Sequence, residues 1–115
     1  MPTISRNNEK RVWQAIKGMA AQGLARYPNT IEEDREILTR TDLTFNERNC
    51  TLFRLGEKEI LVFLLEFSEF VLKLLGMKFK DAKKHTQSLP THMNSCRDYL
   101  QNQCIPLLAK DNNIS

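Results

Sequence analysis

One apolar stripe constrains this chain more than any other feature. After Thr44, apolar residues fall at Cys50, Phe53, Ile60, Leu64, Phe67, Val71 and Leu74, with Glu57 in the remaining slot. Steps of three and four return to one face of an α-helix, so the pattern demands a long helix and something to cover it. Thr44 and Glu47 have the spacing of a capping box, in which each side chain satisfies a backbone N–H left open at the helix start. Continuous from Thr44 to Leu75, the helix would be ~48 Å long at ~1.5 Å per residue. Before Ile60 it is amphipathic. Beyond Ile60 apolar residues appear all round, so that half must be buried or paired. Self-association over residues 60–75, through Phe63, Phe67, Phe70 and Leu74, is therefore expected. Glu66, Glu69 and Lys73 interrupt the run. A membrane span needs ~18 or more apolar residues with few charges, so no transmembrane helix is expected.

The rest of the chain also reads as helical. No segment alternates with period two, and no Asn-Gly or Asp-Gly hairpin turn occurs. A first helix is predicted from Asn8 to Ala25, with Val12, Ile16, Met19, Ala20 and Leu24 as its apolar stripe, Trp13 beside it and Pro28 beyond its end. A second begins at the capping box Thr30–Glu33 and ends near Thr39 or Arg40. Glu32, Glu33 and Asp34 fill its first turn, where negative charge meets the positive end of the helix dipole. Gly76 is expected to close the long helix. Lys78, Lys80, Lys83, Lys84 and His85 then form a short exposed helix or loop. Ser88-Leu89-Pro90 opens a last helix with Met93, Cys96, Leu100, Cys104, Leu107 and Leu108 on its apolar face. Pro106 should kink or shorten it, and Asp111 to Ser115 read as a frayed tail. The fold class is all-α: a single domain of four to five helices in an irregular bundle.

Charge excludes little but points away from nucleic acid. Residues 1–61 carry ten basic and nine acidic residues, and residues 62–115 carry seven and five. That balance lacks the basic stripe of a nucleic-acid binder. The lysine cluster reads as a solvated face. Cys50, Cys96 and Cys104 are odd in number, and residues 1–6 show no apolar leader. Free thiols in a reducing compartment, cytoplasmic or nuclear, are expected. His85 and His92 precede Cys96 and Cys104, but no C-x-x-C or H-x-x-x-H pair exists, so no metal site is assigned. No base is paired by sequence with Cys50 or Cys96, so no nucleophile is assigned either.

Two further stretches carry the functional reading. Arg54-Leu55-Gly56-Glu57-Lys58-Glu59-Ile60-Leu61 stands about two dozen residues after Tyr27-Pro28-Asn29-Thr30-Ile31-Glu32-Glu33-Asp34. Gly56 inside a helix costs about 1 kcal/mol relative to alanine, so close approach of another helix is expected there. Arg54 and Glu57, three apart, are placed to pair. Together the two stretches resemble the Rubisco LSMT-type helical substrate-binding domain of SET-domain protein methyltransferases. The actin-histidine branch is the most similar. Val12-Trp13 and the approach Leu24-Ala25-Arg26-Tyr27 share the likeness, which covers residues of about 9–61.

The resemblance implies substrate-binding helices in residues 1–61 and a divergent helical extension, or an alternative C-terminus, in residues 62–115. It implies a protein substrate, actin or another methylated protein. In the intact family enzyme, methyl passes from S-adenosylmethionine to a lysine or histidine nitrogen. The family's SET core binds that cofactor through an Asn-His pair and an active-site tyrosine. This chain has no Asn-His dipeptide, and Tyr27 and Tyr99 stand in contexts that match nothing in that core. No catalytic or cofactor-binding residue is therefore assigned, and the chain alone is expected to bind no S-adenosylmethionine. Two alternatives stand beside this reading. One is a truncated or standalone helical interaction module with no methyltransferase role. The other is a small helical protein whose residues 60–75 seek a membrane or a partner.

Overall fold

A computed structural model describes residues 5–112, and their side chains as far as Ala109. Among these residues the structure is helical throughout, with no strand. Five helices follow one another: α1 (Arg6–Ala25), α2 (Ile31–Ile37), α3 (Phe45–Leu75), α4 (Phe79–Gln87) and a composite α5 (91–112). The long helix expected after Thr44 is present, and both capping boxes close with reciprocal hydrogen bonds. Ser5 starts α1 earlier than predicted, because its hydroxyl accepts from Asn8 N–H at 3.1 Å. Gly76 ends α3 at φ −90°, in a right-handed conformation that any residue could adopt. The lysine-rich segment is a helix, α4, which buries Ala82 and Thr86. None of the described helices is long and apolar enough to cross a membrane.

α5 begins as a 3-10 helix over Thr91–Cys96 and passes through Arg97–Tyr99 into a π turn over Leu100–Cys104. It then continues as α-helix over Ile105–Asn112. Pro106 was expected to shorten this helix. Instead the ladder widens just before it, and Ile105 N–H reaches back to Leu100 O. The wider turn accommodates the missing N–H and the bulk of the ring that proline brings. Asp111 and Asn112 are thus helical, and residues 113–115 of the expected tail lie outside the described residues.

The molecule is elongated, 64 × 24 × 22 Å. α1 lies antiparallel along α3: Trp13 meets Phe67, and Gly23 meets Leu61. The core gathers where α4 and α5 fold back on the end of α3. Phe67, Val71, Leu74 and Leu75 pack there with Ala82, Leu89, Met93, Leu100, Cys104, Ile105 and Leu108. Phe63 and Phe70 are half-buried against this cluster. The side chains named for self-association over residues 60–75 are therefore core or core-flanking. Apolar residues all round this half of α3 reflect burial by α1, α4 and α5. Position 61 falls inside α3, so one continuous helix joins residues 1–61 to residues 62–115.

The predicted α1 stripe is rotated. Val12 and Met19 are exposed, while Glu9 and Ala20 are buried. Glu9 takes a core-facing place because its carboxylate accepts the Tyr99 hydroxyl proton, and Trp13 Nε1–H donates to the same hydroxyl at 2.6 Å. Burial and the Glu9 acceptor together raise the Tyr99 pKa well above its ordinary value.

Candidate functional site

The two sequence stretches singled out above meet at a buried ion pair. Lys58 of α3 donates to the Asp34 carboxylate of α2 and, at 2.7 Å, to the Asn29 carbonyl. Both side chains are sealed from water, at 3% and 0% exposure. The Lys58 ammonium also lies 5.2 Å from the centre of the Tyr27 ring, in reach of a cation–π attraction. A seven-residue helix such as α2 offers too little apolar surface to dock by burial alone, so polar contacts seat it. Arg35 pairs with Glu59 at 3.2 Å, and Arg48 donates to the carbonyls of Leu38 and Arg40 just beyond the α2 end. Neither partner of the buried pair signals the other in sequence. They are 24 residues apart, and each reads as an ordinary charged position on its own helix.

Tyr27 completes the junction between α1 and α3. Its hydroxyl donates to the Glu57 carboxylate. Glu57 therefore does not pair with Arg54 as the spacing suggested. Arg54 turns to the Thr51 hydroxyl at 3.4 Å. Close helix packing is also displaced from its predicted place. A Cβ on Gly56 would meet nothing within 4 Å, whereas one on Gly23 would come 3.0 Å from a Leu61 methyl. Gly23, at the end of α1, is the residue that lets the two helices approach.

Between them runs an open groove of about 660 Å³, lined by Met19, Gly23, Arg26, Tyr27, Glu57, Ile60 and Leu61. Met19 and Ile60 stand on its walls at 71% and 62% exposure. Val12, Phe45, Leu52 and Phe53 are the other large apolar side chains left exposed. All six lie within residues 1–61. Cys50, Phe53 and Ile60 had been placed on the covered face of α3, and they are on the same face as Phe67, Val71 and Leu74. The cover stops before it reaches them. Glu57, the charge in the apolar stripe, was the sequence signal of that open end.

The candidate chemical residues do not converge. Cys50 is exposed, Cys96 half-buried and Cys104 buried, all as free thiols. Burial pushes the Cys104 thiol up to about 11. His85 stacks on Phe70 at 4.0 Å, where burial and then Lys73 lower its pKa. His92 lies 3.5 Å from Glu66. Among the described residues no three of His, Cys, Asp and Glu gather as a metal site would need.

Residues 1–61 match the family described as Rubisco LSMT substrate-binding. The human actin-histidine N-methyltransferase is 40% identical over 58 residues, 50% of this chain and 10% of that protein. The rat protein of the same name is 33% identical over 84 residues, 73% of this chain and 13% of its own. That alignment is longer than residues 1–61, so the likeness to the rat protein runs past Leu61. The dog protein is 41% identical over 58 residues, again 50% of this chain and 10% of its own. The chain thus spans about a tenth of the length of the curated relatives it matches. No solved structure matches it. With more than half its length matched, and with both matched stretches joined by the Asp34–Lys58 pair, the chain belongs to the Rubisco LSMT substrate-binding family.

Proposed function

We propose that this chain is the protein-substrate-binding part of a protein methyltransferase, with actin as the candidate substrate. The observation that carries it is the confinement of all six exposed large apolar side chains to the family-matched residues, around the α1–α3 groove. Monomers rarely leave such side chains grouped in the open unless they meet another protein. The relatives' name, actin-histidine N-methyltransferase, supports actin. In this reading α2 and its ion pair hold the groove's shape, Met19 and Ile60 supply apolar contact, and Arg26 supplies a charge at its edge.

Methyl transfer belongs to a catalytic core that this chain does not supply. The groove does not fit S-adenosylmethionine: Tyr27 and Glu57 satisfy each other, leaving Arg26 as its uncommitted charged group. Calorimetry of the chain with the cofactor should give no saturable heat. The substrate reading is tested by titrating fluorescent monomeric actin with the chain. Saturable binding is expected, and Met19→Ser with Ile60→Ser should weaken it about tenfold or more, since each buried apolar side chain contributes ~1.5–3 kcal/mol. Binding that is absent, or indifferent to both changes, defeats the assignment of this groove to actin.

A further inference from the structure

Gly56 has no packing reason inside the molecule. It lies within a 31-residue helix, where glycine weakens the helix, and a Cβ on it would meet only open space. Leu52, Phe53 and Ile60 surround it, four and three residues before and four after, all exposed. On a helix those positions are its immediate neighbours. Gly56 is thus the floor of a shallow hole walled by large apolar side chains. The nearby acids are already engaged, Glu57 by Tyr27 and Glu59 by Arg35. Farther along the same face α5 covers Phe67, Val71 and Leu74, and in the α2 half no element does so.

We propose that this face of α3 is the two-fold contact of a homodimer, with the α3 helices of two copies crossing antiparallel at Gly56. Close approach at a crossing needs a small residue on both helices. A second copy brings Gly56 to that point by symmetry, because an isologous contact presents the same patch from each side. The register is self-complementary. Inverting the second helix about Gly56 sets Leu52 and Phe53 of one copy level with Ile60 of the other. It also sets Glu57, one residue after the crossing, beside Arg54 of the second copy, which lies two residues before it in sequence. Opposite charges then face each other where like charges would oppose association. The inference does not depend on any methyltransferase role.

The test is the mass of the full 115-residue chain in solution, followed by sedimentation from about 1 μM to about 1 mM, the range of weak specific association. The mass should rise from 13.4 kDa toward twice that value. Gly56→Lys fills the hole without a clash in the monomer. It should remain at 13.4 kDa throughout, with a melting temperature no lower than that of the native chain. Gly56→Cys in a Cys50→Ser background should form a disulfide-linked dimer under mild oxidation. A native chain that stays monomeric overturns the proposal, as does a dimer that survives Gly56→Lys. A dimer that Gly56→Cys fails to link overturns the crossing at Gly56.

Discussion

One face of α3 meets two different fates along its length. Near its end, Phe67, Val71 and Leu74 are sealed under α5. Two to four turns earlier, Phe53 and Ile60 on the same face stand open, while the opposite side buries Thr51, Leu55 and Lys58. The two regions are held by different physics. Burial of aliphatic and aromatic surface stabilises the α4–α5 end at roughly 25 cal/mol per Å² removed from water. The α2 end is seated by an ion pair, two capping boxes and guanidinium–carbonyl contacts. Such contacts fix geometry more than they add net stability, because desolvation offsets much of the attraction. A region built this way keeps its apolar side chains available for other molecules.

The comparison breaks most visibly at Lys58. Lys58→Met leaves the Asp34 carboxylate buried without its cation, and its Oδ1 already lacks a hydrogen-bond partner. Loss of ~3–5 kcal/mol is expected in urea unfolding. Adding Asp34→Leu should recover most of it, because the pair positions α2 rather than supplying net energy. A double variant as unstable as the single one would mean that the pair itself is a principal source of stability.

At the other end no second change compensates. Leu74→Ala removes a fully buried side chain from the centre of the cluster and should cost ~2–5 kcal/mol. By contrast, Phe53→Ala at an exposed position should stay within about 0.5 kcal/mol in the monomer. Equal losses at the two positions would erase the distinction between a covered and an open stretch.

Tyr99 joins the regions, and its removal should cost less. Tyr99→Phe keeps the ring packed near Trp13 and Phe67 but leaves Glu9 and the Trp13 N–H without their shared hydroxyl. Unsatisfied buried polar groups cost ~1–3 kcal/mol. Glu9→Gln tests the same link: an amide still accepts from the Tyr99 hydroxyl, so thermal unfolding should show a smaller loss than for Tyr99→Phe.

Local structure was largely legible in the sequence, since it depends on residues near one another. Thr30 with Glu33 and Thr44 with Glu47 announced two helix starts, and the three-and-four spacing gave the length of α3. What could not be read were contacts across 24 to 90 residues: Lys58 with Asp34, and Tyr99 with Trp13 and Glu9. Periodicity identifies an apolar face but not how far along it the cover extends. Hence Cys50, Phe53 and Ile60 were grouped with Phe67, Val71 and Leu74, although α5 reaches only the latter three. Val12 and Met19 were misplaced for a related reason. The Glu9–Tyr99 bond turns α1 so that an acid faces inward.

The smallest effect separates the two helical glycines. Both should favour alanine by about 1 kcal/mol on helix propensity alone. Gly56→Ala adds a methyl in open space, so the full gain should appear in dilute monomer, raising the melting temperature by roughly 4 °C. Gly23→Ala places its methyl 3.0 Å from a Leu61 methyl. Leu61 is half-buried and can shift its tip, yet α1 must still ride outward by a few tenths of an ångström, which offsets the gain. Gly23→Ala should therefore raise the melting temperature less than Gly56→Ala, or lower it. The reverse order would place the tight helix contact at Gly56 after all, and would remove the open hole on which the dimer rests.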